Sequence, residues 1–326
     1  MKIQKRAFKV NYLILFVLFL TTSIQAQKVE KFFDFKWKEC KSSEAQYYAV
    51  TEKIDSTYLR RNYFIKQQKL LYSMKCKDSI CKMKDGEFFS LYVNGNIESK
   101  GIYKNNKKEG SWLTFHNNGK MKDSMFFSNG NSLGIRLSWH PNGFKCDSIY
   151  ESTAKSGARV SWFDNGAPSS YGSYVEGNKK TGKWKYFHKN GKISAIETYQ
   201  NLNLAEVKYF DENGVVLNIN EVKNTPAINS IDEKNWNRNL AKSILSNFPD
   251  GFKLINTDKV TVVADFTVNE EGNVENVYLS VPFDDNINDI IIKAIKKTGK
   301  WIPATDHNRK VKQEKKIPIS FTENQF

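Results

Sequence analysis

Gly182-Lys183-Trp184-Lys185-Tyr186-Phe187-His188-Lys189-Asn190-Gly191-Lys192-Ile193 is the stretch that decides the fold, because the chain repeats it. Asn-Gly pairs fall at Asn94-Gly95, Asn118-Gly119, Asn142-Gly143, Asn165-Gly166, Asn190-Gly191 and Asn213-Gly214, with successive spacings of 24, 24, 23, 25 and 23 residues. A fixed period of this size marks a repeat architecture. In each copy a strand-length run of aromatic and polar residues precedes the pair and a second run follows it. Asn and Gly both tolerate positive φ, so the pattern predicts hairpins closed by two-residue type I′ turns. Gly95, Gly119, Gly143, Gly166, Gly191 and Gly214 are the expected turn glycines.

A Gly opens five copies, at Gly86, Gly110, Gly134, Gly157 and Gly182, and Ala205 opens the sixth. Five places on stand Leu91, Phe115, Trp139, Trp162, Phe187 and Phe210, which predicts an apolar stripe along stacked hairpins. Stacking is required, because a lone hairpin is marginal in water.

The Gly-x-Trp-x-x-Phe of Gly110 to Phe115, the Gly-x-Trp-x-Tyr-Phe of Gly182 to Phe187 and the Asn-Gly turns resemble the MORN-type repeat, in the variant found in YwqK-like antitoxin-family proteins. The resemblance covers about residues 86–217, six repeats. It implies an extended antiparallel sheet that serves as a scaffold or binding surface.

Residues 1–26 read as a secretory signal peptide. Lys2, Lys5, Arg6 and Lys9 precede the apolar run Leu13 to Leu20, and Thr21 to Ala26 forms a polar-to-small exit. The run is far shorter than the ~20 residues a spanning helix needs. The competing reading is an uncleaved inner-membrane anchor through residues 13–24. The 50 basic residues lose four with the signal, leaving 46 against 35 acidic, or +11. Residues 232–326 hold 14 of each, so the excess lies in 27–231. Lys104, Lys107, Lys108, Lys179 and Lys180 sit in the connections, which describes either a self-repelling soluble surface or contact with an anionic envelope surface. Export argues against nucleic acid as a partner.

Four cysteines, Cys40, Cys76, Cys81 and Cys146, permit three pairings in an oxidising compartment. Cys76 and Cys81 flank the turn-like Lys77 to Ile80 and form the candidate local disulfide, with free buried thiols as the alternative. Residues 27–85 read as a capping region. It contains a short helix over Ser42 to Ile54 and an atypical hairpin of Tyr58 to Ile65 and Leu70 to Lys75.

After Gly214 the period stops. Residues 218–232, polar and containing Pro226, read as a linker to a separate core over 233–326. There a helix over Trp236 to Phe248 is followed by strands at Val260 to Val268 and Val274 to Val281. A second helix at Asp289 to Lys297 precedes a last strand at Lys315 to Phe321. Phe266-x-Val268, Gly272-x-Val274, Trp301-x-Pro303-Ala304 and Ile317-Pro318-Ile319-x-Phe321 resemble the C-terminal domain of TonB-family proteins over about 233–322. The resemblance implies a small α+β fold that takes an extended peptide by strand addition. Pro318 fits an edge strand, so Lys315, Ile317, Ile319 and Phe321 are the candidate partner-binding residues. The chain departs from that family in lacking a Pro-rich spacer and in carrying Asn308-Arg309 where a Gly-containing turn is usual.

The expected fold is thus mainly β: an extended antiparallel hairpin-repeat sheet followed by a small α+β domain. His116, His140 and His188 share one repeat position. Copies two strands apart lie roughly 9–10 Å from each other, too far to share a metal whose ligands sit about 2 Å from it. His116 and His140 read as ordinary exposed sheet residues. No nucleophile elbow, phosphate loop or His-Glu-x-x-His signature is present. The residues point to an exported, non-enzymatic interaction protein of the bacterial cell envelope, without cofactor or metal. Its partner would be an envelope protein or peptide such as an outer-membrane receptor. The alternatives are an anchored TonB-family energy transducer and a secreted enzyme.

Overall fold

A computed structural model describes residues 28–152, 156–175, 179–229, 233–249, 251–254 and 259–322. The signal-peptide reading falls on residues 1–26, outside them. Among the described residues no helix is long and apolar enough to cross a membrane.

One antiparallel sheet of 16 strands runs in strict chain order. It begins with β1 (Lys28–Phe33), β2 (Tyr47–Ile54), β3 (Thr57–Phe64) and β4 (Lys69–Cys76). The repeats supply the rest as six hairpins. The first four are β5 (Lys84–Leu91) with β6 (Ile97–Lys104), β7 (Lys107–Phe115) with β8 (Met121–Ser128), β9 (Asn131–Trp139) with β10 (Lys145–Glu151), and β11 (Gly157–Trp162) with β12 (Pro168–Val175). The last two are β13 (Lys179–Phe187) with β14 (Ile193–Gln200), and β15 (Asn203–Phe210) with β16 (Val216–Leu217). The helix expected over Ser42 to Ile54 is absent: Ser42–Glu44 is one 3-10 turn, and the rest is β2. Period-2 burial of Tyr47, Ala49 and Thr51 overrides the local helix formers.

The Asn-Gly turns differ from the type I′ expectation. Gly95 N–H donates to Tyr92 O and Tyr92 N–H to Asn96 O, both at 2.8 Å. Gly95 has φ +89°, while Asn94 is not at positive φ. This is a three-residue loop, a type I turn whose glycine forms a left-handed bulge. Gly119, Gly143, Gly166, Gly191 and Gly214 repeat it, at φ between +82° and +97°. The type I′ geometry occurs between hairpins instead, at Asn105-Asn106, Asn129-Gly130 and Asn201-Leu202, where both residues have positive φ. Asn94, Asn118, Asn142 and Asn190 each cap their own turn and reach the next. Asn118 Oδ1 accepts from Lys120 N–H at 3.0 Å, and its Nδ2 donates to Pro141 O at 2.8 Å.

The C-terminal unit contains α1 (Glu233–Leu245), β18 (Lys259–Val268), β19 (Val274–Val281), α2 (Asp285–Lys296) and β23 (Gln313–Thr322). Its sheet has the order β19-β18-β23. Val262, Ala264 and Phe266 of β18 pack with Leu240 and Ile244 of α1 and with Ile291 and Ile295 of α2. Asp284 caps α2, accepting from Asn286 N–H and Ile287 N–H.

The predicted linker, residues 218–232, is not a free tether where it is described. Thr225 and Thr305 exchange backbone bonds at 3.1 and 2.8 Å, and Ala227, 1% exposed, sits in the C-terminal core. β17 (Ile228–Asn229) pairs with β20 (Trp301–Ile302). Its polar composition concealed this, because the bonds are made mostly by backbone.

The unexpected feature is how the two units meet. Gln46, at the entry to β2, donates to Thr261 O at 2.7 Å, while Asn308 donates to Phe210 O of β15 at 2.9 Å. Strands β2 and β15 would lie roughly 60 Å apart in a flat sheet. A unit of this length has a radius of gyration of about 12 Å. It reaches both only because the sheet curls round it.

Candidate functional site

Strand alternation assigns two faces to the curled sheet. The residue two after each opening Gly, and those four and six after it, face the C-terminal unit. The predicted stripe of Leu91, Phe115, Trp139, Trp162, Phe187 and Phe210 alternates with them on the other face, where it stays half-buried.

The inner face has two kinds of hairpin. Trp112 is 5% exposed. Its indole lies flat on Gly101, where an added Cβ would fall 2.3 Å from the ring, and Nε1 donates to Ile102 O at 3.1 Å. Trp184 repeats the device on Gly172, with 2.2 Å for the Cβ and a 2.7 Å bond to Ser173 O. In β9 and β11 the same position holds Arg136 and Arg159, within Gly-x-Arg-x-Ser-Trp at Gly134 to Trp139 and Gly157 to Trp162. The strand before each supplies an aspartate. Asp123 accepts from Ser138 Oγ at 2.6 Å, Thr114 Oγ1 at 2.9 Å and Arg136 at 3.2 Å. Asp147 accepts from Ser161 Oγ at 2.6 Å and from Arg159 Nε at 2.9 Å, with a second bond from Arg159 making the pair bidentate. Burial alone would raise the Asp123 carboxyl, but the bonds from Ser138, Thr114 and Arg136 hold it below the usual carboxylate range.

The C-terminal unit answers with a hairpin, β21 (Ala304–Asp306) and β22 (Arg309–Val311). Its turn residues His307 and Asn308 have φ +51° and +57°. The side chains of these two residues plug the sheet. Nε2 of His307 meets Glu197 Oε1 at 3.0 Å, and its ring stacks on Tyr186 at 3.6 Å between centroids. Nδ1 lies 2.7 Å from Asp306 Oδ2, a close charge contact without hydrogen-bond alignment. Two carboxylates within 3.0 Å of the ring nitrogens favour the imidazolium. Burial pulls the His307 pKa down, but Asp306 and Glu197 outweigh it and raise it. Glu197 also accepts from Lys180 and Tyr186, both at 2.8 Å. Burial opposes its charge, yet these partners and His307 hold its pKa at about 2. Arg309 donates to Ser169 and Phe187 O, with Phe163 and Tyr186 rings 5.6 and 5.4 Å from its guanidinium. Lys312 bridges Asp164 at 2.7 Å and Glu275 at 2.9 Å.

Between the plug and the Arg-bearing hairpins lies an open cavity of about 820 Å³, lined from one side by Asp123, Arg136, Asp147 and Arg159 and from the other by Glu275, Arg309 and Lys312. It is the candidate site. The sequence signal for it was the replacement of an aromatic by Arg in two of six copies, which a reading built on similarity among copies passes over.

The residues singled out from sequence lie elsewhere. Ile317, Ile319 and Phe321 of β23 point into the C-terminal core, with Phe321 3% exposed, and Lys315 lies 5.7 Å from the Trp301 ring. As side chains they do not present a binding surface. Glu314, Lys316, Pro318 and Ser320 alternate with them on the exposed side. Cys76 and Cys81 are joined by a disulfide with Cα atoms 5.2 Å apart, while Cys40 and Cys146 are free. The histidines are not ordinary exposed residues. His116, His140 and His188 each donate Nε2–H to a carbonyl of the next hairpin, Trp139, Trp162 and Phe210, at 2.8, 2.9 and 3.0 Å. His188 is 4% exposed. Among the connecting lysines, Lys108 sits 4.3 Å over Trp112 and Lys180 is spent on Glu197, so neither belongs to a free basic surface.

A family model described as MORN repeat variant matches residues 84–105, 108–129 and 180–201. The matched hairpins carry Phe88, Trp112 and Trp184 two residues after the opening Gly; those of Arg136 and Arg159 lie outside the matched residues. No curated protein matches the chain.

Proposed function

We propose that this protein is an exported, non-enzymatic binding module of the bacterial cell envelope, whose C-terminal unit takes an extended peptide by strand addition. In this reading the C-terminal unit is TonB-like and the MORN-type sheet is the scaffold that holds it. One observation carries the proposal: β23, ten residues long, is an edge of its sheet and has no strand neighbour on its outer side among the described residues. An open edge presents backbone groups that an incoming strand completes. The register with β18, including Val263 opposite Pro318, commits the other side of β23. Proline belongs with its nitrogen on the unpaired side, which places the outward amides at Lys316 and Ser320. Affinity then comes from main chain, and Ile317, Ile319 and Phe321 contribute by holding the strand on its core.

Deuterium exchange with and without solubilised envelope proteins tests this. Slowed exchange at Lys316 and Ser320 supports strand addition; slowed exchange confined to the repeat sheet moves the partner there. The intact mass of the native protein tests export separately. A chain starting at Gln27 fits a cleaved signal, whereas an intact Met1 favours the anchored transducer.

A further inference from the structure

We propose that the cavity between the two Arg-bearing hairpins and the C-terminal unit binds a neutral glycan strand, read by the paired Asp-Arg-Ser clusters of Asp123, Arg136, Ser138 and Asp147, Arg159, Ser161. The volume of about 820 Å³ is within the roughly 300–1,000 Å³ of ligand sites. The two hairpins forgo the indole-on-glycine packing of their neighbours to build it. Six residues after the turn glycine, where the Trp hairpins have Gly101 and Gly172, the strands before Arg136 and Arg159 carry Met125 and Ile149, and Ile149 pairs with Arg159. Both halves of the packing device are therefore exchanged together, twice.

The chemistry of the lining selects the ligand. Six Lys and Arg side chains, with His307 beside them, face seven acidic ones, so the cavity offers no net field for a polyanion or a polycation. Each aspartate is already neutralised by its arginine. An anion entering beside Arg159 meets Asp147 in the same cluster, and a cation beside Asp123 meets Arg136. An apolar chain would bury polar groups without partners, which is unfavourable. What fits is a group that both donates and accepts, and a hydroxyl does so. A guanidinium has five N–H groups; among the described contacts Arg159 spends its bonds on Asp147 and Arg136 one on Asp123. The Arg136 and Arg159 side chains remain 45% and 44% exposed, so their other N–H groups are accessible. Ser138 and Ser161 donate to aspartate, leaving their lone pairs to accept.

The duplication selects for a polymer. The clusters occupy equivalent positions one hairpin apart, roughly 9–10 Å. A ligand that satisfies both with one set of groups must itself repeat. A glycan chain does so, with hydroxyls along its length.

The full chain is titrated calorimetrically with cellohexaose, maltohexaose and chitohexaose, and with a polyaspartate peptide and inorganic polyphosphate as charged comparators. At least one neutral hexasaccharide is expected to bind. The corresponding monosaccharide should bind about tenfold more weakly, because it reaches one cluster rather than two. Arg136→Gln with Arg159→Gln should cost about tenfold in affinity and leave the melting temperature close to that of the parent. Should that pair fail to fold, Ser138→Ala with Ser161→Ala carries the same test, with weaker binding again expected. Absence of binding by all three neutral sugars overturns the proposal. So does equal affinity in the folded variant, or binding of the charged comparators alone.

Discussion

The hairpins built on Trp112 and Trp184 and those built on Arg136 and Arg159 share a backbone and differ in what their inner face does. In the first kind an indole covers a glycine on the neighbouring strand and its N–H is bonded to a main-chain carbonyl. The polar handle is satisfied, and the ring area is removed from water. In the second kind a half-exposed arginine paired with a largely buried aspartate replaces it. Such pairs contribute under about 1 kcal/mol. Repeats that stack can therefore divide the labour: some stabilise the sheet, and others give up that packing to line a cavity.

The comparison predicts its own largest break. Trp184→Ala removes a side chain that is 5% exposed and should cost about 3–5 kcal/mol in denaturant unfolding. A cost below that of Arg159→Ala would reverse the division. Gly172→Val attacks the other half of the device. Its Cβ would enter the Trp184 ring at 2.2 Å, and overpacking of this kind costs about 1–3 kcal/mol. Wild-type stability there would mean the indole has another place to go.

Gly119→Val and Gly143→Val test the turns that both kinds of hairpin share. At φ +82° and +97° a β-branched residue is strained, by about 1–2 kcal/mol each. Unchanged melting temperatures for both would sink the bulged-turn assignment.

The His307 plug makes stability depend on pH. Its pKa is raised in the folded chain, so the stability it contributes is complete below the unfolded value of about 6.5 and is lost as pH rises through the folded value. Glu197 works in the opposite direction. Held at about 2, it contributes fully above the usual Glu value of about 4.3 and loses that contribution as pH falls toward its folded value. The melting temperature should therefore be highest between about pH 4.5 and 6.5. His307→Gln should flatten the alkaline limb. An alkaline limb as steep in the variant as in the parent would place the titration elsewhere.

The smallest effect belongs to the polar hairpins. Arg159→Gln keeps one hydrogen-bond donor beside Asp147 and should cost under about 1 kcal/mol. A loss comparable to Trp184→Ala would show that these hairpins carry the sheet as well.

Outside β1 and β2, the sequence by itself determined the repeat hairpins, their order and the glycine of each Asn-Gly turn. Those depend on local matters: a glycine at positive φ, and apolar residues in period 2. It also located α1, α2, β18, β19 and β23 to within a few residues, since their periodicity is local too, but not β20 or the β21–β22 hairpin. It did not determine the type of turn at Asn-Gly, because Asn tolerates both the bulged and the type I′ geometry and the adjacent strand register chooses between them. Nor did it reveal that β23 turns Ile317, Ile319 and Phe321 inward, because alternation gives two faces without saying which one the helices cover. Only the tertiary structure decided the curl of the sheet and the cavity it encloses. Both depend on groups far apart in the chain. Glu197 and His307 are separated by 110 residues, and no local pattern announces that a carboxylate on one hairpin will meet an imidazole on another.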